Sequence, residues 1–108
     1  MNQVQLVGRL VRDAELRYTK NGKGLCFATL AVDGYYNKSK GGTETDFIPV
    51  QFWGKLAEQV AKGGKKGTLL SIVGRISTGS YEKDGKKVYT LDIIGEEVKF
   101  LARPKPKE

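Results

Sequence analysis

Histidine is missing from this sequence, and cysteine, tryptophan and methionine occur once each. Without histidine, and with Cys26 as the single thiol, zinc-type sites have almost no ligands and the commonest general base is unavailable. Neither a metal nor a cofactor is expected. Cys26 cannot form an internal disulfide. It lies in an apolar run, so the expectation is a buried, inert thiol in a reducing, cytoplasmic setting. No apolar run approaches the roughly 20 residues that cross a bilayer. The opening Met1-Asn2-Gln3-Val4 leads straight into a strand pattern rather than a signal peptide, so no membrane partner is expected. Acidic residues are also few: twelve Asp and Glu stand against nineteen Lys and Arg, a net charge of +7.

The 108 residues suffice for one domain with a real core. Charge of this sign accompanies nucleic-acid binding, because each neutralised phosphate releases counterions; it also fits an ordinary basic surface. The segment Thr45 to Lys55 is more specific. Its alternation is that of a strand, whose successive side chains point to opposite faces. Ile48, Val50 and Phe52 share an apolar face that reads as core. Phe47, Pro49, Gln51 and Trp53 share the other. Burying a Phe or Trp is worth about 1.5–3 kcal/mol, so two large rings on a wet face imply an external cover. Among lysines, stacked bases fit.

The remaining elements follow in order. Gln3–Val11 reads as a first strand, bent at Gly8, with Asp13–Tyr18 as a short continuation. Leu25–Tyr36 is a long second strand, apolar on both faces at first, so its outer face is expected to meet a partner subunit or a helix. The third strand runs from Thr43 to Trp53. Gly54–Lys62 is a helix, with Leu56, Ala57, Val60 and Ala61 on one stripe. Thr68–Thr78 is a fourth strand with Leu70, Ile72 and Ile76 inward. Tyr81–Tyr89 is a basic-tipped hairpin turning at Asp84-Gly85. Tyr89–Ile94 is a fifth strand, and Glu96–Leu101 a last short one. The expected domain spans residues 1–102, followed by a short disordered basic tail over 103–108. The fold class is all-β: an OB-fold, a five-stranded Greek-key barrel with one helix between strands 3 and 4.

Asn2-Gln3-Val4-Gln5-Leu6-Val7-Gly8-Arg9-Leu10, Leu16-Arg17-Tyr18-Thr19 with Asn21-Gly22, and Thr29-Leu30-Ala31-Val32 carry a resemblance. So do Trp53-Gly54-Lys55-Leu56-Ala57-Glu58, Lys66-Gly67, Val73-Gly74-Arg75-Ile76, Ser80-Tyr81, Asp84-Gly85 and Tyr89-Thr90. In this order, from residue 2 to about 101, the chain resembles the bacterial and phage single-stranded DNA-binding proteins. The resemblance implies base-stacking platforms at Tyr36, Phe47, Trp53 and Tyr81, of which parity had singled out Phe47 and Trp53. Tyr35 competes with Tyr36, because Gly34 can shift the strand phase. Tyr18 and Tyr89 are taken as packing. The resemblance also implies a homotetramer and a nucleoid-associated location. Replicative relatives end in an acidic, apolar tip that recruits partners. This sequence ends Lys105-Pro106-Lys107-Glu108, which argues against recruitment through such a tip.

The expected activity is sequence-nonspecific binding of single-stranded DNA, with no catalysis. Arg9, Lys38, Lys40, Lys55, Arg75, Lys83, Lys86 and Lys87 are the candidates for phosphate neutralisation. Three alternatives stay open. One is an OB-fold RNA chaperone of the cold-shock type. Another is a metal-dependent nuclease using Asp13, Glu15, Asp33, Asp46 and Asp92. The third is an interaction protein with its rings at a protein interface.

Overall fold

The computed structural model describes residues 1–104. Seven elements follow one another: β1 (Val4–Leu10), β2 (Glu15–Tyr18), β3 (Gly24–Asn37), β4 (Gly42–Trp53), α1 (Lys55–Gly63), β5 (Leu69–Lys83) and β6 (Lys86–Ala102). The strand order β1-β5-β6-β4-β3-β2, with a further β1–β3 pairing, closes the sheet into a barrel. All neighbours are antiparallel except β4 and β6, which pair in parallel at Val50–Ile93 and Gln51–Ile94. β1 and β2 share one edge of β3 end to end: Arg9 and Leu10 lie beside Ala31 and Leu30, and Glu15 to Tyr18 lie beside Phe27 to Gly24. Counted as one interrupted strand they give the five-stranded OB barrel, with α1 between its third and fourth members. Of the expected tail over 103–108, residues 105–108 lie outside the described residues.

The alternation read from the sequence sets the core. Leu10, Cys26, Ala28, Leu30, Val50, Phe52, Leu70 and Ile72 point inward, and Ala57 and Val60 of α1 close one end. Ile48 and Leu56 pack against this cluster from its margin. α1 has no side-chain cap; Gly54 enters it at φ 66°, a region open to glycine. Its amide donates instead to Gly24 O at 2.8 Å. Cys26 is fully buried, and burial, with Glu15 nearby, pushes its thiol up to about 11.

Three expectations need correction. Ile76 is not inward: it is 40% exposed. Beyond Arg75, β5 has left β1 behind and pairs with β6 alone, so no core lies beneath it. Second, the two terminal strands expected at Tyr89–Ile94 and Glu96–Leu101 are a single strand. Gly95 does not interrupt it; the Phe52 ring occupies the space that a Cβ there would fill. The register shift between Val73 and Gly74 inserts one extra β6 residue, Glu96, at that point. Third, the hairpin expected over Tyr81–Tyr89 is the tip of a longer β5–β6 arm. Asp84 and Gly85, at φ 53° and 75°, make the two-residue turn that suits strand twist.

Gly8 is buried where β1 passes from β5 to β3. A Cβ there would meet Ala31 O and the Val32 side chain. Its pairing with β5 runs from Val4 to Arg9 without a shift, so the residue serves close approach of two strands rather than a bulge.

Candidate nucleic-acid interface

The register of β3 and β4 decides which side chains share a surface. Cys26–Phe52, Ala28–Val50 and Leu30–Ile48 form the inner pairs; Leu25–Trp53, Phe27–Gln51, Thr29–Pro49 and Ala31–Phe47 form the outer ones. Phe47 is 65% exposed and Trp53 36% exposed, both on that outer face. Between Asp33 and Tyr36 the register slips by one residue on β3, after which Tyr36 lies beside Thr43. Thr43, Thr45 and Phe47 share a face by parity, so the slip brings Tyr36 onto the ring face. Gly34 and Tyr35 together stand where β4 has only Glu44. Tyr36, Phe47 and Trp53 thus line one exposed track, about 33 Å long at ~3.3 Å per residue of β4.

Neighbouring strands extend this face. Arg9, Ala31 and Phe47 form one row across β1, β3 and β4, so Arg9 stands two strand spacings, about 10 Å, from Phe47. Phe27, Gln51, Ile94 and Arg75 form another row across β3, β4, β6 and β5. Tyr81 has the parity of Arg75 and sits farther out along the arm, 53% exposed. Where the arm parts from the β3–β4 hairpin, Phe27, Pro49, Gln51, Leu91, Asp92 and Ile93 line a cleft of about 180 Å³.

The eight expected cations differ in what already holds them. Arg9 donates to Gly67 O at 2.7 Å. Lys40 pairs with Glu44 at 3.1 Å, and the same carboxylate oxygen accepts from Asn37 at 2.9 Å. Arg75 lies 3.8 Å from Glu96. The Lys87 ammonium sits 5.5 Å from the Tyr89 ring centroid. Lys38, in the β3–β4 turn, Lys55, at the start of α1, and Lys83 and Lys86, at the arm tip, have no carboxylate within 4 Å among the described residues. These four are the ones most available to an incoming anion.

Sequence reasoning missed several members of this surface. Phe27, 44% exposed, lies on the ring track itself. Tyr18 and Tyr89, taken as packing, are also 60% and 75% exposed, on the opposite side of their strands from the ring face. Lys23 holds its ammonium 5.6 Å from the centroid of the Trp53 ring. Parity along β3 joins Leu25 to Phe27, but only the register joins them to Trp53 and Phe47. The carboxylates proposed for a nuclease site do not converge. Among the described residues no three His, Cys, Asp or Glu side chains gather to hold a metal ion. No described helix is long and apolar enough to cross a membrane.

Comparison with known proteins agrees with this architecture. Residues 1–101 match the single-strand binding protein family. The chain is 48% identical over 103 residues to "Single-stranded DNA-binding protein 2" of Clostridium acetobutylicum, covering 94% of this chain and 77% of that protein. It is 50% identical over 104 residues to the single-stranded DNA-binding protein of Clostridium tetani, covering 94% and 70%. Its identity to the Bacillus cereus protein of the same name is 47% over 102 residues; there the chain spans 60% of the relative's length. A match over nearly the whole barrel, at this identity, establishes that the chain belongs to the single-strand binding protein family.

Proposed function

We propose that this chain binds single-stranded DNA without sequence preference and shields it during replication, recombination, repair or DNA uptake. The observation that carries the reading is the shared exposed face of Tyr36, Phe47 and Trp53. Relatives at 47–50% identity that bear the name single-stranded DNA-binding protein support it. Bases lie flat on Tyr36, Phe47, Trp53 and Tyr81, each contact contributing about 1–3 kcal/mol. Arg9, Lys38, Lys40, Lys55, Arg75, Lys83, Lys86 and Lys87 draw in the sugar-phosphate chain, an attraction that salt screens. Paired bases hide their faces, so duplex binds weakly. The role is binding, not catalysis, in a nucleoid-associated setting.

The reading extends to a homotetramer. β1 pairs with β5 from Val4, but its pairing with β3 begins only at Arg9, so among the described residues the edge over Val4 to Val7 has no strand beside it. Val7 on this strand is 53% exposed. An open edge with an apolar side chain is a template for a second copy. Light scattering at monomer mass would reject assembly.

Titration of single-stranded and duplex oligonucleotides at two salt concentrations tests the binding itself. The expected result is tight, salt-sensitive binding of the single strand and weak binding of the duplex. Equal affinity for the two would sink the proposal.

A further inference from the structure

Neither Arg17 nor Lys23 is among the eight expected cations, yet the fold brings both to Trp53. Arg17 on β2 lies beside Leu25 on β3, which lies beside Trp53 on β4, so Arg17 and Trp53 share one row of the outer face. Lys23 approaches from the β2–β3 turn, its ammonium 5.6 Å from the ring centroid. We propose that Arg17 and Lys23 form a phosphate-binding subsite for single-stranded DNA at the Trp53 end of the ring track. This rests on reading that face as the single-strand interface.

The turn fixes the Lys23 backbone while leaving its side chain free. Thr19 N donates to Lys23 O at 2.9 Å, Gly22 N donates to Thr19 O at 2.8 Å, and Lys23 N donates to the Thr19 hydroxyl at 3.1 Å. Gly54 N, the amide after Trp53, donates to Gly24 O at 2.8 Å, so turn and ring are tied by the main chain. Among the described residues no carboxylate lies within 4 Å of the Lys23 ammonium, which sits over the ring. Arg17 reaches Glu15 at 3.5 Å, with both side chains more than half exposed. Exposed pairs of that length contribute little, so Arg17 can exchange its partner for a phosphate.

The chemistry then follows from the nucleotide. A base lying on Trp53 takes the aromatic surface that the Lys23 ammonium covers. It brings its own phosphate, one sugar away, to a cation on a flexible four-carbon stem. The ammonium passes from ring to phosphate, and Arg17, two strands away in the same row, meets the backbone farther along. A single strand engaged at Tyr36 and Phe47 is thereby held past Trp53, onto β2.

The test uses the complete chain and a dT oligonucleotide, with the lone Trp53 as reporter, over a series of salt concentrations. Each neutralised phosphate on a single strand contributes about 0.7 to the slope of log affinity against log salt. Lys23→Gln and Arg17→Gln are each expected to lower the slope by about that amount, and Lys23→Arg to restore it. Trp53 quenching amplitude stays, since the base still stacks. Lys62→Gln, on the last turn of α1, controls for general loss of charge and keeps the wild-type slope. Slopes of Lys23→Gln and Arg17→Gln no lower than that of Lys62→Gln, with wild-type binding and quenching intact, overturn this subsite alone. Absence of wild-type binding overturns the underlying reading and the subsite together.

Discussion

The Lys23 ammonium lies 5.6 Å from the centroid of the Trp53 ring, and among the described residues that ring is also the least exposed of the four expected platforms. Trp53 is therefore the ring with the most protein already around it, while Phe47 and Tyr36 stand freer. An exposed cation over a ring contributes about 0.5–1 kcal/mol, less than the 1–3 kcal/mol of a stacked base. A base therefore outcompetes the cation for the ring.

Trp53 is the sole tryptophan, so its fluorescence reports one place. Poly(dT) is expected to quench it on binding. Binding without quenching removes Trp53 from the interface.

Replacing the ring separates stacking from charge. Trp53→Ala is expected to weaken binding by about 1–3 kcal/mol at every salt concentration. Lys86→Ala, at the arm tip, is expected to reduce the slope. Identical slopes for Lys86→Ala and wild type clear Lys86 of phosphate contact.

The slip between Asp33 and Tyr36 makes a sharper distinction between two adjacent tyrosines. Tyr36→Ala is expected to cost about 1–3 kcal/mol of binding, and Tyr35→Ala a small fraction of that. The same assay applied to Phe27→Ala is expected to show a loss, since Phe27 lies on the track. Equal losses for Tyr35→Ala and Tyr36→Ala would contradict the register.

Gly95 lies against the Phe52 ring at the parallel seam between β4 and β6. A methyl group there forces the ring from its place, and overpacking of this kind typically costs about 1–3 kcal/mol. Gly95→Ala is expected to lower the unfolding midpoint by several degrees while leaving the charge of the surface unchanged. An unchanged midpoint would mean that Phe52 has room to move.

The raised Cys26 pKa sets an alkaline limit on stability. The folded thiol titrates near 11 and the unfolded one near 9, so the unfolded state loses its proton first as pH rises. The contribution is intact below pH 9, declines between pH 9 and 11, and by the upper end on the order of 2 kcal/mol is lost. Cys26→Ala removes this dependence while Lys and Tyr titrate as before. Parallel curves for the two proteins over that range exclude the thiol as a cause.

Element order, the core and the wet rings were legible because alternation survives where one face is buried. The barrel face of β4, the stripe of α1 and the Asp84-Gly85 turn all follow from local rules. Register was not legible. Counting outward from the β3–β4 turn without the extra residue at Gly34-Tyr35 shifts β3 by one place, and a shift of one turns every side chain to the opposite face. That is why Phe27, Lys23 and Arg17 had no visible neighbour. Tyr89 and Ile76 misled for another reason: both alternate as though a core lay beneath, but β5 and β6 have run past the barrel there.

Among the described residues the outer part of that arm is paired only with itself, Thr78 to Lys83 lying beside Leu91 to Lys86 with no third strand alongside. Its tip is thus a place where length is free to vary. A peptide epitope spliced between Asp84 and Gly85 would lengthen the ribbon without disturbing the packed interior, giving a handle for surface immobilisation that leaves Tyr36, Phe47 and Trp53 uncovered.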